Sequence, residues 1–372
     1  MQSGMLTTPA SPESSALFAR YQQLTLPAGA LDSLLIPALK IHAQRKDGHT
    51  SPLNFGFLLF AGDHAVARLH GVSAYPAEVT PQMVANIVSG GAAISQLTAR
   101  RNSPMIVCDV GVAAGFDELM LVQSSENIVL RRANLHHRFP TGEFAFGARD
   151  ISTTSALTPE AYLHCWQTGA DCVDALLSNH ECDVIALGEM GIGNTTAASA
   201  IAAVLTGRPA ELCAGRGTGV DDLGLKRKIK VISEAVGRAG PLLSRHESGS
   251  LAWSHALVQE LGGAELCALA GAAWRAAERG VLVLLDGMIV TAAVAPFAVA
   301  DKTFAQWIMA SHESAEPVHA ALMTDLGVRP LLSLGLRLGE GSGAALVAGL
   351  LQDADALLRT MATFESAGVS SL

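Results

Sequence analysis

Twice in this chain an apolar run ends in Leu-Gly-Glu, turns through glycines and opens into an alanine-rich stretch. The first copy spans residues 183–200 and carries Leu187-Gly188-Glu189-Met190-Gly191-Ile192-Gly193-Asn194-Thr195-Thr196-Ala197-Ala198. The second follows the apolar residues 330–336 and reads Leu338-Gly339-Glu340-Gly341-Ser342-Gly343-Ala344-Ala345. A short apolar run bounded by glycine reads as a buried strand, and the alanine-rich segment after it as a helix. Strand followed directly by helix constrains the fold strongly. It predicts a parallel sheet covered on both faces by helices, with ligands bound beyond the carboxyl ends of the strands.

The turns between these elements carry the chemistry. Asn194, Thr195 and Thr196 stand where a helix begins, so free backbone N–H groups and two hydroxyls converge on one spot suited to an anion. No GxxxxGK[ST] string is present, so this is not a Walker loop. A third glycine loop, Gly215-Arg216-Gly217-Thr218-Gly219, is followed by Lys226-Arg227-Lys228 and offers amides, a hydroxyl and cations to the same kind of ligand. Glu340 lies between two glycines, free of bulky neighbours, and suits a general base in a cleft. A capped turn with a surface glutamate would read the same way. Taken together, the three loops point to a phosphorylated small molecule.

Charge and composition remove other classes. The net charge of −9 lacks the basic footprint of a nucleic-acid binder, so no nucleic-acid partner is expected. Residues 281–300 are nearly all apolar, but Asp286-Gly287 interrupts them and Pro296 lies inside. A buried strand followed by a helix from about Met288 explains them better than a membrane span, and no membrane partner is expected. The six cysteines form no CxxC pair, and most lie in apolar stretches, which predicts reduced packing residues and fits the cytoplasm. The first residues lack a basic segment followed by an apolar core, so no signal peptide is expected. Asp63, His64, Asp286 and His312 match no standard ligand spacing, and no metal is expected.

Along the chain, strands are expected at 55–60, 105–112, 183–187, 281–285 and, weakly, 211–214, as well as in the run before Glu340. Residues 1–50 read as helical with breaks at Pro27, Gly29 and Pro37, residues 115–155 as a hairpin or long loop, and residues 349–372 as a final helix with a polar tail. The expected architecture is α/β: a doubly wound, Rossmann-like parallel sheet in a large domain over 55–345. A smaller helical domain is expected from residues 1–54 together with 346–372, because neither end buries a core alone.

A series of strings in order through most of the chain resembles one family. They include Ala61-Gly62-Asp63-His64, Gly71-Val72-Ser73-Ala74-Tyr75-Pro76, Val79-Thr80-Pro81-Gln82-Met83-Val84 and Asp109-Val110-Gly111-Val112. The Gly188–Thr196 and Gly215–Gly219 loops continue the series, followed by Gly262-Gly263-Ala264-Glu265, Leu285-Asp286-Gly287, Ser311-His312-Glu313-Ser314-Ala315-Glu316-Pro317 and Arg337-Leu338-Gly339-Glu340-Gly341. The family is that of the nicotinate-nucleotide–dimethylbenzimidazole phosphoribosyltransferases. One departure is Val318, where the Glu316-Pro317 pair is usually followed by glycine.

The resemblance implies transfer of phosphoribose from nicotinate mononucleotide to 5,6-dimethylbenzimidazole in cobalamin lower-ligand synthesis, without a cofactor. It implies Glu340 as base and a phosphoribosyl site of Glu189, Gly191, Gly193, Asn194, Thr195, Thr196, Gly217, Thr218, Gly219 and Lys228. For the aromatic base it points to Ser73, Tyr75, Gln82 and Met83. It also implies a homodimer. The rival readings are the same fold acting on another base, such as adenine, another benzimidazole or a phenol, a nucleotide-binding protein without catalysis, and a metal-dependent phosphohydrolase.

Overall fold

A computed structural model describes residues 6–45, 50–113, 124–217 and 219–370. Its centre is a seven-stranded sheet in the order β3-β2-β1-β4-β5-β6-β7. The strands are β1 Phe55–Gly62, β2 Met105–Gly111, β3 Ile128–Arg132, β4 Val184–Met190, β5 Leu282–Leu285, β6 Ile308–Ser314 and β7 Pro330–Leu336. Every pairing is parallel. All eight residues of β1 are buried, as are all four of β5. Such strands run between two helical layers, which is why they read as unbroken apolar runs rather than alternating ones.

The Pro159–Asn179, Ala264–Glu278 and Met288–Ala300 helices pack together on one face of the sheet. Two glycines let the first pair approach closely. A Cβ on Gly169 would lie 2.0 Å from the Ala268 carbonyl oxygen, and one on Gly271 2.3 Å from that of Trp166. The Val79–Val88 and Ser342–Thr360 helices cover the other face. Strand order reverses direction between β1 and β4, the crevice position where doubly wound sheets bind ligands.

The two ends of the chain meet. The Asp32–Ala43 helix packs on the Ser342–Thr360 helix, and His42 Nε2 lies 2.7 Å from Asp355 Oδ1, both side chains being buried. Thr25 N–H donates to the Ala362 carbonyl at 3.1 Å, and Phe364 N–H to that of Gln23 at 2.9 Å. One apolar core includes Leu17 and Leu24 near the start and Leu351 and Leu358 near the end.

Several sequence expectations are corrected. Residues 211–214 are not a strand: Ala210–Cys213 is a helical turn, begun by Pro209 and built of good helix formers, with β4 already flanked by β1 and β5. Pro37 does not break a helix but lies inside Asp32–Ala43, where burial of Leu35, Leu39 and Ile41 outweighs the lost hydrogen bond. The 115–155 region is no hairpin in its described part. It contributes β3, parallel to β2, and a short helix, Leu135–Arg138, while residues 114–123 lie outside the described residues. β6 is a strand that the sequence does not announce, because its buried Ser311 and His312 conceal it among polar letters. Among the described residues no helix is long and apolar enough to cross a membrane.

Candidate active site

Beyond the carboxyl ends of β4 to β7 lies a cleft of about 710 Å³, mouth included. Glu189, Gly191, Asn194, Thr195, Gly217 and Glu340 all line it, so both Leu-Gly-Glu copies face one space. The sheet brings together two segments that lie about 150 residues apart in sequence.

Glu340 stands on an unusual backbone. Gly339, Glu340 and Gly341 have φ of 79°, 63° and 77°, three left-handed residues in a row. Glycine adopts this freely, whereas a glutamate there is strained by about 1 kcal/mol or more. The strain persists because the loop is packed from below. A Cβ on Gly188 would lie 2.7 Å from Gly341 N and 2.9 Å from the Glu340 carbonyl carbon, so only a glycine in β4 lets the loop settle there. The helix Ser342–Thr360 starts immediately after, with no side-chain cap of its own. Asp286, at the end of β5, supplies the cap: its Oδ1 accepts the Ala344 N–H at 2.9 Å.

Three buried carboxyl groups share the cleft, Glu189, Asp286 and Glu340. Burial, followed by the charges of Asp286 and Glu265, pushes the Glu189 carboxyl up to about 8, against the pull of a hydrogen bond from Asn194. Burial first and the Asp286 charge second hold Glu340 above the usual glutamate range. Burial also raises Asp286, while His312 and backbone N–H groups oppose that rise. The charge of Asp286 is thus a shared cause of the rise at the other two, and Glu189 is mostly protonated at neutral pH.

The helix start at Asn194 follows Gly193, whose φ is 101°. Gly191 presses on β1, since a Cβ there would lie 1.9 Å from the Gly62 carbonyl oxygen. Lys228 lies behind this wall rather than in the cleft, fully buried. Its Nζ donates to Thr195 Oγ1 at 2.9 Å and to the Gly215 carbonyl at 3.0 Å, tying the first and third glycine loops together. Because Thr195 Oγ1 accepts from the ammonium, its own hydrogen is left for a ligand in the cleft. Burial pushes the Lys228 ammonium down to about 8, with Glu316 opposing.

Gly193, Thr196 and Gly219 are not on the cleft wall, and Thr218 lies outside the described residues. The Gly217 amide is already taken: it donates to Glu316 Oε1 at 3.1 Å, leaving Glu316 Oε2 without a partner. Glu316, His312 and Arg337 line the cleft; the sequence gives Glu316 and Arg337 no role of their own, and His312 only a structural or substrate-contact one. Their signal lies in the strings around residues 311–317 and 337, but no spacing rule joins them before the sheet does. Val318 is fully buried with φ of −87°, so this backbone does not require glycine.

The structure does not place Ser73, Tyr75, Gln82 or Met83 on the cleft wall. Tyr75 is 51% exposed, Gln82 is exposed and Met83 half-buried. Their segment is nevertheless fastened to the cleft one layer away. Asp63 Oδ1 accepts from Thr80 Oγ1 at 2.5 Å and from Ile192 N–H at 3.2 Å, and Asp63 Oδ2 accepts from Ala113 N–H at 2.9 Å. Burial raises the Asp63 carboxyl to about 6. His64 is absorbed in a buried contact with Glu265 at 2.6 Å. Among the described residues no group of three or more His, Cys, Asp or Glu side chains is arranged to hold a metal ion.

A doubly wound sheet, a cleft beyond its strand ends and a helix start suited to an anion define an α/β protein built to hold a phosphorylated small molecule. A sequence model described as "Phosphoribosyltransferase" matches residues 7–369. The nicotinate-nucleotide–dimethylbenzimidazole phosphoribosyltransferase of Chloroflexus aurantiacus is 39% identical over 354 residues, covering 94% of this chain and 92% of its own length. The protein of the same name from Dechloromonas aromatica is 38% identical over 370 residues, covering 100% of this chain and 99% of its own. The crystal structure of CobT from Thermus thermophilus superposes with a TM-score of 0.79 at 36% identity, covering 96% of this chain and 98% of that one. The chain belongs to the nicotinate-nucleotide–dimethylbenzimidazole phosphoribosyltransferase family.

Proposed function

We propose that the protein transfers the phosphoribosyl group of nicotinate mononucleotide to 5,6-dimethylbenzimidazole, giving α-ribazole 5′-phosphate and nicotinate. The observation that carries this reading is Glu340, buried at the end of β7 in the same cleft as the Asn194–Thr195 helix start. One ring nitrogen of the benzimidazole attacks ribose C1, the C1–pyridinium bond breaks, and its electron pair leaves with nicotinate. The proton on the other ring nitrogen passes to Glu340. Attack opposite the leaving group inverts the centre from β to α. The pyridinium departs as a neutral ring, so the nucleophile rather than the leaving group needs proton-transfer help.

In this reading the phosphate is held by Gly191, Asn194 and Thr195, with Gly193 and Thr196 shaping the helix start. Gly217, Thr218 and Gly219 form the neighbouring loop, and Lys228 orients Thr195 from behind. Glu189, mostly protonated, donates to a ribose hydroxyl. Ser73, Tyr75, Gln82 and Met83 belong to the side from which the aromatic base enters. Residues 1–54 and 346–372 would act as one small helical unit steadying the Glu340 loop. A cytoplasmic homodimer completes the proposal; six free cysteines support the compartment.

The test is conversion of nicotinate mononucleotide with a panel of benzimidazoles, purines and phenols, with products identified by mass. α-Ribazole phosphate as the main product supports the reading; preferred use of another base would reassign the acceptor. Lys228→Ala should raise the KM for nicotinate mononucleotide about 10-fold or more, the scale of a lost charged hydrogen bond. The nucleoside lacking phosphate should lose much less affinity. Equal losses for both ligands, measured by calorimetry, would make Lys228 a purely structural residue.

A further inference from the structure

Asp286 is more completely buried than the carboxylate it stands beside, and half of it is unused. Its side chain is 1% exposed, Oδ1 accepts the Ala344 N–H at 2.9 Å, and Oδ2 has no hydrogen-bond partner. Backbone N–H groups of Gly341 and Gly287 also pull this carboxyl down against its burial. Gly341 directly follows Glu340. A buried carboxylate with one empty oxygen is costly unless something nearby uses its charge.

The surroundings show how it is held. Gly343 has no side chain where a Cβ would lie 2.1 Å from His312 Nδ1 and 3.0 Å from Asp286 Oδ1. His312 Nδ1 is 3.9 Å from Asp286 Oδ1, and Ser311 Oγ lies 3.0 Å from that nitrogen while bonded to the Asp286 carbonyl at 3.1 Å. The first turn of the Ser342–Thr360 helix is therefore seated on the carboxylate from above, and β6 encloses it from the side.

We propose that Asp286 is a positioning residue for Glu340: it anchors the helix that fixes the left-handed Glu340 loop, and it sets a second carboxyl group beside that of Glu340. This rests on the reading of Glu340 as the base. The like charge favours the protonated form of Glu340, raising its affinity for the benzimidazole proton. The other charged or titratable groups around this point are Glu189 from β4, His312 from β6, Arg337 after β7, Glu316 before the His319–Leu326 helix and Glu265 from the Ala264–Glu278 helix. Of these groups only Asp286 both holds the helix that follows the Glu340 loop and raises the Glu340 carboxyl.

The experiment compares kcat against pH for the full-length parent, Asp286→Asn and Asp286→Glu. Asn retains an acceptor for Ala344 but no charge. Its acid limb should move down by about 0.5 to 1 pH unit, and its plateau should fall about 3-fold, with nicotinate mononucleotide affinity unchanged. Glu retains the charge but displaces the anchor. Its limb should stay in place while kcat falls about 10-fold. An Asn limb that superposes on the parent's overturns the proposal. Should Asp286→Asn not fold, a Glu limb displaced by a full unit overturns it instead, and an unmoved limb supports it. Carbon-13 titration of the Glu340 carboxyl, assigned by its loss in Glu340→Gln, is independent of turnover. A midpoint that drops in Asp286→Asn supports the proposal even if Glu340→Gln stays active and the base assignment fails.

Discussion

Glu340→Gln is expected to lower turnover by about 10²-fold or more while leaving the fold and the binding of nicotinate mononucleotide intact. The amide keeps the size and the backbone demand of the glutamate but cannot accept the benzimidazole proton. Its neighbours cannot fully replace it. Glu189 is mostly protonated at neutral pH, and Asp286 is pinned beneath the start of the Ser342–Thr360 helix rather than carried on the Glu340 loop. The measurement is nicotinate release at saturating substrates, with binding followed separately by calorimetry. A kcat within about 3-fold of the parent would remove Glu340 from proton transfer. Loss of binding along with turnover would instead mean that the side chain holds the nucleotide. The pH dependence follows from the raised Glu340 carboxyl: activity should rise with pH as it deprotonates, with a midpoint above the usual glutamate range.

The second large effect is expected from a residue that is not on the cleft wall. Gly188→Ala places a methyl carbon 2.7 Å from Gly341 N and 2.8 Å from Gly341 Cα, both backbone atoms that cannot swing aside. The Glu340 loop must lift from β4. Overpacking of this kind costs about 1–3 kcal/mol of stability. A displacement of about 1 Å at a reacting group costs on the order of 10²-fold in rate. Thermal melts should fall, and kcat should fall further than the melt alone explains, measured well below the transition. An enzyme with full activity and a lowered melting temperature would show that the loop tolerates the shift, and that the left-handed geometry at Glu340 is not what matters.

The sheet is legible where sequence and burial agree. Residues 55–60 and 105–112 are apolar because both of their faces are covered, and such strands declare themselves without periodicity. β3 is not legible: it is an edge strand of five residues ending in Arg131 and Arg132, and only Ile128 in it is buried. Residues 211–214 mislead because the short run Leu212-Cys213-Ala214 fits a turn of helix as well as a strand, and only the neighbours of β4 decide. In the site, Glu340 and the Asn194–Thr195 start are legible because glycines flank them and local backbone demands explain those glycines. Asp286 and Glu316 are not, since each acts through a contact formed only when distant segments meet: Asp286 with Ala344, and Glu316 with Gly217. Lys228 is legible as a cation near the loops but not as a buried clamp between them.

The place of Glu340 in the chain has a consequence for synthesis. A chain emerging from the ribosome acquires β1 to β6 and both amide-rich loops before Glu340 leaves the exit tunnel. The loop that carries Glu340 is fixed only when the Ser342–Thr360 helix has emerged and docked on Asp286. That helix also provides the surface on which the Asp32–Ala43 helix waits to pack. Synthesis runs from the amino end, so a nascent chain would hold the residues of the proposed nucleotide cradle before those that fix the base. Ribosome-arrested chains of increasing length should gain nucleotide binding first and transfer last, switching on only as residues 342–360 clear the tunnel. Transfer by a chain arrested before that point would show that the base is held in place by something other than its helix.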